Sequence, residues 1–408
     1  MNRRVAVTGM AGISPIGNDW HSAQKQLRSY RNAIVRMNDW EQYQGLHTQL
    51  GAPAAAFTLS KRFTRKTTRG MGRVALMAAR ASELALIDAG LIDDPILKSG
   101  MVGIAYGSCT GTPEAIGAFN TMLVEKTIKD INATTYIKMM PHTAPVNIGV
   151  FFGITGRIIT TSSACTSGSQ GIGYAYEVIR SGRQRVMIAG GAEELCATEA
   201  AVFDTLYATS VRNDNPAITP SPFDAQRDGL VIGEGAGSLI LEDLEHALAR
   251  GAKIYAEIVG YGTNSDGCHV TNPNADTMRI ALELALQDAH LPPSAIGYIN
   301  AHGTGTQQGD VAESQATAQV FGNKTPISSL KSYMGHTLGA CGALEAWLSI
   351  QMLQDNWYAP TINLMQVDPQ CAELDYIMGE GRTLQCEYVM SNNFAFGGIN
   401  TSLIFKKY

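Results

Sequence analysis

The 408-residue sequence has no window of about 18 uninterrupted apolar residues, so no membrane-spanning helix is expected. It has no excess of positive charge. Its 31 Lys and Arg against 36 Asp and Glu give a formal net charge of −5, whereas a nucleic-acid partner selects for a basic surplus. Its seven cysteines, an odd number with no regular spacing, make neither a disulfide framework nor a zinc pattern. A reduced, cytoplasmic setting is the expectation. No HExxH motif and no clustered carboxylates accompany the histidines, which argues against a zinc centre. After Met1-Asn-Arg-Arg4 the chain passes directly into Val5-Ala-Val-Thr-Gly9, with Ser14, Pro15 and Asn18 soon after, so no signal-peptide core is expected.

What remains is a globular chain, 45% hydrophobic and 16% charged, too long for a typical single core. Its 42 glycines gather at strand ends rather than in a linker. In the stretch from Ile159 to Gly173 a β-branched run ends in small hydroxyl residues and Cys165, and a helical pattern then begins with Ile172, Tyr176 and Ile179 on one face. This wording predicts a strand, a tight elbow and a helix whose N-terminus lies under the sulfur. The free N–H groups and dipole of a helix start favour negative charge, so a lowered thiol pKa is expected.

From Lys253 the pattern starts again. Ile254 to Gly260 echoes the first strand and its glycine, and Ile296 to Thr306 echoes Val102 to Thr112. Pro326 to His336 echoes the Cys165 elbow, and Tyr388 to Gly398 echoes the strand that ends in Gly190-Gly191. Internal repetition of this kind predicts an α/β fold of two pseudo-duplicated halves, 1–252 and 253–408, with two sheets packed around shared helices. Ligands of open α/β sheets collect beyond the carboxyl ends of strands, and Cys165, His302, Lys331 and His336 all fall there. A cysteine in isolation reads as a small core residue, as do the other six. Cys109 is the exception, because its loop parallels that of His302. Lys331, after the apolar run Ile327 to Leu330, has two readings: a buried ion pair with Glu345, or a charge used in catalysis. The run from Lys61 to Arg73 holds six cations and no acid; it reads either as a solvated helix start or as a docking patch for an acidic partner.

Thr-Ser-Ser-Ala-Cys165-Thr-Ser-Gly, Asn-Ala-His302-Gly-Thr-Gly-Thr, Ser-Leu-Lys331-Ser-Tyr-Met-Gly-His336 and Asn-Asn-Phe-Ala-Phe396-Gly-Gly together resemble the β-ketoacyl-[acyl-carrier-protein] synthases of type I/II. The likeness runs the whole length of the chain. It implies a thiolase fold, a five-layered αβαβα core, and a homodimer. It implies that Cys165 attacks an acyl thioester on an acyl carrier protein, and that malonyl-carrier protein then undergoes a decarboxylating Claisen condensation with the acyl-enzyme. The product would be an elongated fatty-acid, polyketide or aryl-polyene chain. His302 and His336 would donate hydrogen bonds to the developing enolate, Lys331 would hold the histidine network, and the backbone N–H groups of Cys165 and Phe396 would form an oxyanion hole. Phe396 would gate the pocket.

The same resemblance makes Thr304 and Thr306 the hydroxyls that bind pantetheine, with Cys109, Thr110 and Phe394 bordering substrate. Lys61, Arg62, Arg65 and Lys66 match the carrier-docking stretch. Asn300, Ala301, Glu345, Ser391 and Asn392 match a structural sodium or potassium site. No cofactor is required, since the 4′-phosphopantetheine arrives on the carrier. Several departures stand out. Tyr207 occupies the place of a docking arginine. Phe394-Ala-Phe396 replaces Phe-Gly-Phe. Cys109 and Thr110 replace a glycine and a bulky aliphatic residue at the acyl wall, which suggests a different acyl chain. The segment from Asp39 to Thr48 resembles synthases of aryl-polyene pigment pathways. The rival from another class is a non-catalytic chain-length-factor partner of a ketosynthase heterodimer, but such proteins usually lack the cysteine. A thiolase would carry a second catalytic cysteine where Phe-Ala-Phe-Gly-Gly stands.

Overall fold

The computed structural model describes residues 2–408. Ten core strands fall into two units. The first holds β1 (Val5–Ile13), β2 (Val102–Gly107), β3 (Ile158–Thr161), β4 (Val186–Glu193) and β5 (Gly235–Asp243). The second holds β6 (Ala256–Ser265), β7 (Ile296–Asn300), β8 (Pro326–Ser328), β9 (Tyr388–Ala395) and β10 (Ile399–Lys407). Each unit has the same order. The first runs β1-β5-β4-β2-β3 and the second β6-β10-β9-β7-β8. The directions match too: two antiparallel pairings and then two parallel ones in both units. The repetition read from the sequence is therefore a repetition of topology.

The expectation of two separate sheets needs correction. Val5–Val7 of β1 pairs with Ala256–Ile258 of β6, so hydrogen bonding is continuous through eleven strands. The eleventh, Asp375–Tyr376, pairs with β8 and closes that end. Pairing between β1 and β6 is a tertiary choice that no local pattern encodes.

Five helices build the layers: α1 (Arg73–Asp88), α2 (Ser167–Arg180), α3 (Ala275–Ala289), α4 (Gln307–Phe321) and α5 (Cys341–Asp355). Both α2 and α5 touch strands of both units and form the middle layer, while α1 lies outside β1 and β5, and α3 outside β6 and β10. The result is αβαβα. Small residues permit the close middle layer. A Cβ on Gly168 would sit 2.9 Å from the Ala343 nitrogen, and one on Gly342 would sit 2.6 Å from the Ser169 nitrogen. The glycines and serines in the first turns of α2 thus let α5 approach, and buried Trp347 of α5 packs over Gly12. Among the described residues, no helix is long and apolar enough to cross a membrane.

Candidate active site

At the end of β3 the chain makes the expected elbow. Ala164 takes a left-handed φ of +50°, Ser163 N–H donates to Ser167 Oγ at 3.0 Å, and α2 starts two residues after Cys165. The helix start lies where the sequence put it, but its effect on the thiol is outweighed. Cys165 is 4% exposed, and burial raises its pKa to about 11 against the opposing pull of the Lys331 charge and of the Phe396 and Cys165 backbone N–H groups. The free cysteine is a thiol, and the two N–H groups that oppose burial face its sulfur.

His336 Nε2 lies 3.0 Å from Cys165 Sγ. Its other nitrogen, Nδ1, accepts the Leu338 N–H at 3.3 Å. Burial first, and then the Lys331 charge, hold its pKa well below the ordinary value. A neutral imidazole whose Nδ1 is an acceptor carries its proton on Nε2. His302 repeats the logic. Its Nδ1 faces two donors, Lys331 Nζ at 3.2 Å and Asn393 Nδ2 at 3.4 Å, and burial with the neighbouring Lys331 charge keeps it neutral. Its Nε2 is therefore also a donor. The two rings stand edge to face with centroids 5.1 Å apart.

The ligand atoms of Cys165, His302 and His336 lie within 4.8 Å of one another, which is also the spacing of a metal site. The outer partners decide between the two. A metal-bound histidine donates its second ring N–H to a carboxylate or carbonyl, whereas both rings here turn Nδ1 toward donors. The constellation suits a nucleophile with two hydrogen-bond donors.

Of the two readings of Lys331, the buried ion pair with Glu345 is present. Its ammonium, fully buried, touches both His302 and Glu345. Burial works against the Lys331 charge, and the Glu345 carboxylate restores it, so the pKa lies above the ordinary value. Asn393 Nδ2 holds the second Glu345 oxygen at 2.7 Å. The sequence reading missed Asn393. It also missed Glu313 and Asp310 on α4. Glu313 accepts the N–H groups of His302 and Gly303 at 2.7 and 2.6 Å. Asp310 accepts those of Thr304 and Gly305 at 3.0 and 3.1 Å. A signal existed: two acids on the helix that follows a Gly-Thr-Gly-Thr loop are placed to take up the loop's N–H groups.

A cavity of about 550 Å³ opens onto Cys165, His302 and His336, with Thr304, Thr306 and Phe394 in its wall. The two threonine hydroxyls are 2.9 Å apart. Phe396 also lines it and stacks on Phe203, centroids 4.8 Å apart. It sits at the turn of the β9–β10 hairpin, where Gly397 and Gly398 have φ of +86° and +70°. Cys109 and Thr110 do not border this cavity. The Cys109 N–H and Thr110 Oγ1 are bound to buried Glu193, with Cys109 in the apolar cluster around Cys165.

Lys61, Arg65 and Lys66 are exposed. Arg62 differs, because its guanidinium is committed to a paired contact with Asp93. Of the five residues of the cation set, Asn300 and Ser391 are register partners joined by a 3.3 Å hydrogen bond. Glu345 is taken up by Lys331 and Asn393, and Ala301 is buried. Asn300 Oδ1 and Asn392 Oδ1 are buried oxygens without a hydrogen-bond partner.

This fold and this site define a class: a pseudo-duplicated α/β enzyme with a buried cysteine served by two neutral histidines. The model for the β-ketoacyl synthase N-terminal domain matches residues 2–247, and that for the C-terminal domain matches residues 255–365. The chain belongs to the β-ketoacyl synthase family. It is 37% identical over 413 residues to 3-oxoacyl-[acyl-carrier-protein] synthase 2 of Vibrio harveyi, covering 99% of each chain. The crystal structure of a β-ketoacyl synthase from Burkholderia phymatum STM815 superposes with a TM-score of 0.98 at 60% identity, with all of both chains covered. A further structure, a type II polyketide acyl-carrier protein in complex with its ketosynthase bound to the hexaketide, matches with a TM-score of 0.89 at 29% identity, again over all of both chains.

Proposed function

We propose that the protein is a β-ketoacyl-[acyl-carrier-protein] synthase that elongates a carrier-bound acyl chain by decarboxylating Claisen condensation. The observation that carries this reading is the convergence of two Nε2–H donors on one buried cysteine. In the first half-reaction Cys165 sulfur bonds to the acyl carbonyl carbon, the thioester bond to the carrier breaks, and the cysteine proton ends on the departing pantetheine thiol. The N–H groups of Cys165 and Phe396 stabilise the oxyanion of that transfer. In the second, malonyl-carrier protein loses CO₂, and the Nε2–H groups of His302 and His336 hold the thioester oxygen as negative charge develops on it. The resulting carbanion attacks the acyl carbonyl and expels Cys165, which takes up a proton. Lys331 keeps His302 an acceptor at Nδ1 and thus a donor at Nε2.

Residues 1–252 and 253–408 act as two halves of one catalytic unit, each contributing one elbow. Thr304 and Thr306 bind the pantetheine arm in the cavity wall, with Phe394 beside it, and Phe396 swings as the gate. Lys61, Arg65 and Lys66 steer the acidic carrier, and Arg62 gives weaker help because Asp93 already holds it. The unpartnered oxygens Asn300 Oδ1 and Asn392 Oδ1 fit an oxygen-seeking sodium or potassium ion. With Ala301, Ser391 and Glu345 they would hold it as a structural brace, and no chemistry passes through it. The chain forms a homodimer through β3, an edge strand where Ile158 is 42% exposed and the neighbouring Val150 78% exposed. Seven free cysteines suit a cytoplasmic enzyme.

The test is intact mass after incubation with acyl-carrier protein. Wild type gains the acyl group and Cys165→Ala does not; equal uptake by both would remove Cys165 as the nucleophile.

A further inference from the structure

The loop 266–274 joins β6 to α3 and forms one lip of the cavity over Cys165. Two hydrogen bonds hold it against the β9–β10 turn. Asp266 N–H donates to the Gly398 carbonyl at 2.7 Å, and Gly397 N–H donates to the Val270 carbonyl at 2.8 Å. Within this loop His269, which lines the cavity, turns one ring nitrogen back on its own chain. The Thr271 and Asn272 nitrogens each lie 3.1 Å from its Nδ1. A backbone N–H can only donate, so Nδ1 is the acceptor and the ring proton sits on Nε2. That nitrogen is on the far edge of the ring, and among the described residues the ring's partners are all at Nδ1. His269 is a donor fixed in place before any ligand arrives.

Depth decides what such a donor meets. Cys165 is 4% exposed and Thr304 7%, Thr306 is half-buried, and His269, Asn272 and Gln308 are exposed at the mouth. An arm whose sulfur reaches Cys165 runs past the two threonines and leaves its outer end, the phosphodiester of 4′-phosphopantetheine, beside this lip. That end is anionic, yet among the described residues no Lys or Arg lines the cavity. The four carboxylates in its wall are turned to donors of their own. Asp310 and Glu313 take the N–H groups of the His302 loop, Asp228 takes the Ser210 hydroxyl, and Asp266 takes the Asn400 amide. Gln307 Nε2 is committed to the Arg227 carbonyl at 2.9 Å. His269 Nε2–H, with the Asn272 and Gln308 carboxamides beside it in the wall, is left to meet the phosphate.

We propose that His269 binds substrate, its Nε2–H donating to the phosphate of the pantetheine arm at the cavity mouth. The inference rests on the ketosynthase reading of the preceding subsection. Hydrogen bonds to an ionised acceptor are stronger than those between neutral groups, and a donor already held by its loop loses little freedom on binding.

The experiment compares two thioesters of one acyl group, acyl-4′-phosphopantetheine and acyl-pantetheine, which differ only in the phosphate. Acylation of Cys165 is followed by intact mass over a range of concentrations. Wild type is expected to half-saturate with the phosphorylated thioester at a concentration lower by about tenfold, the effect of one hydrogen bond to a charged group. The difference should lie in KM rather than in the maximal rate. His269→Asn separates the donor from the loop, because its Oδ1 stands where Nδ1 stood and accepts the same two N–H groups, while its side chain ends short of Nε2. In this variant the ratio should fall toward one. A wild-type ratio near one overturns the inference and needs no variant to fold. A ratio that survives in His269→Asn also overturns it, since the ring would then only brace its loop. Acylation of Cys165 by neither thioester nor by acyl-carrier protein would overturn the ketosynthase reading itself.

Discussion

The two elbows of this molecule begin alike and end differently. In the first half, β3 leads through Ala164 into α2, and Cys165 is left just before an unbroken helix of fourteen residues. In the second half, β8 leads into the short helix Lys331–Met334, then Gly335 at a φ of +68°, and only later into α5. The inserted turn carries Lys331 into the interior and brings His336 back over Cys165. One scaffold thus presents a buried cysteine from one copy and the charge and the two histidines beside it from the other. The outer edges diverge as well. Strand Asp375–Tyr376 covers β8, whereas β3 ends the sheet with its edge unpaired among the described residues.

The sharpest way to break the second elbow is to remove its charge. Lys331→Met would leave Glu345 buried and uncompensated, at a cost of about 3–5 kcal/mol, seen as a fall in the unfolding midpoint. Lys331→Met with Glu345→Gln should recover most of that stability and none of the condensation activity. If the double variant is as unstable as the single, the ion pair is not what the elbow is built around. Next in size are the donors. In a Cys165→Gln background, His302→Ala and His336→Ala should each slow CO₂ release from malonyl-carrier protein by about 10²–10³-fold, the effect of losing one oxyanion donor. Release that is unchanged in either variant would take that histidine out of the step.

Much of this site could be read from the sequence because its residues sit at strand ends within repeated segments. Gly9 and Gly260, the elbows, and the Lys331–Glu345 pair were all legible in that way. The partners that come from other layers were not. Asn393 reaches His302 from β9, and Glu313 and Asp310 grip the loop from α4; nothing local to His302 announces them. The thiol expectation failed for a different reason. A helix start was correctly inferred, but its favour to a thiolate is smaller than the cost of burying one, and burial cannot be read from an elbow motif. The continuity of the sheet escaped because β1 and β6 lie far apart in the chain.

The likeness of the halves has its own test in packing. A Cβ on Gly9 would come 2.3 Å from the Ala85 carbonyl oxygen, and one on Gly260 would come 2.4 Å from that of Ala285. Strand and outer helix press together equally in both units. Gly9→Ala and Gly260→Ala should therefore destabilise by similar amounts, about 1–3 kcal/mol each, read from denaturant midpoints. A large effect in one half alone would mean that the units share topology but not packing.

The smallest effect separates the two elbow cysteines. Cys341, at the start of α5, donates its thiol to the Cys165 carbonyl oxygen at 3.1 Å, and burial raises its pKa well above the usual value. Cys165 is opposed less strongly, with its thiol at about 11 and its sulfur on the cavity. Below that pKa the thiolate fraction grows about tenfold per pH unit, so alkylation of Cys165 by iodoacetamide should rise steadily with pH from 7 to 10, with no plateau. Peptide mapping by mass spectrometry should find Cys341 unmodified over the same range. A plateau in Cys165 labelling below about pH 8.5, the value of an ordinary cysteine, would mean that the helix start and the two N–H groups outweigh burial after all. The first elbow would then activate its thiol without help from the second.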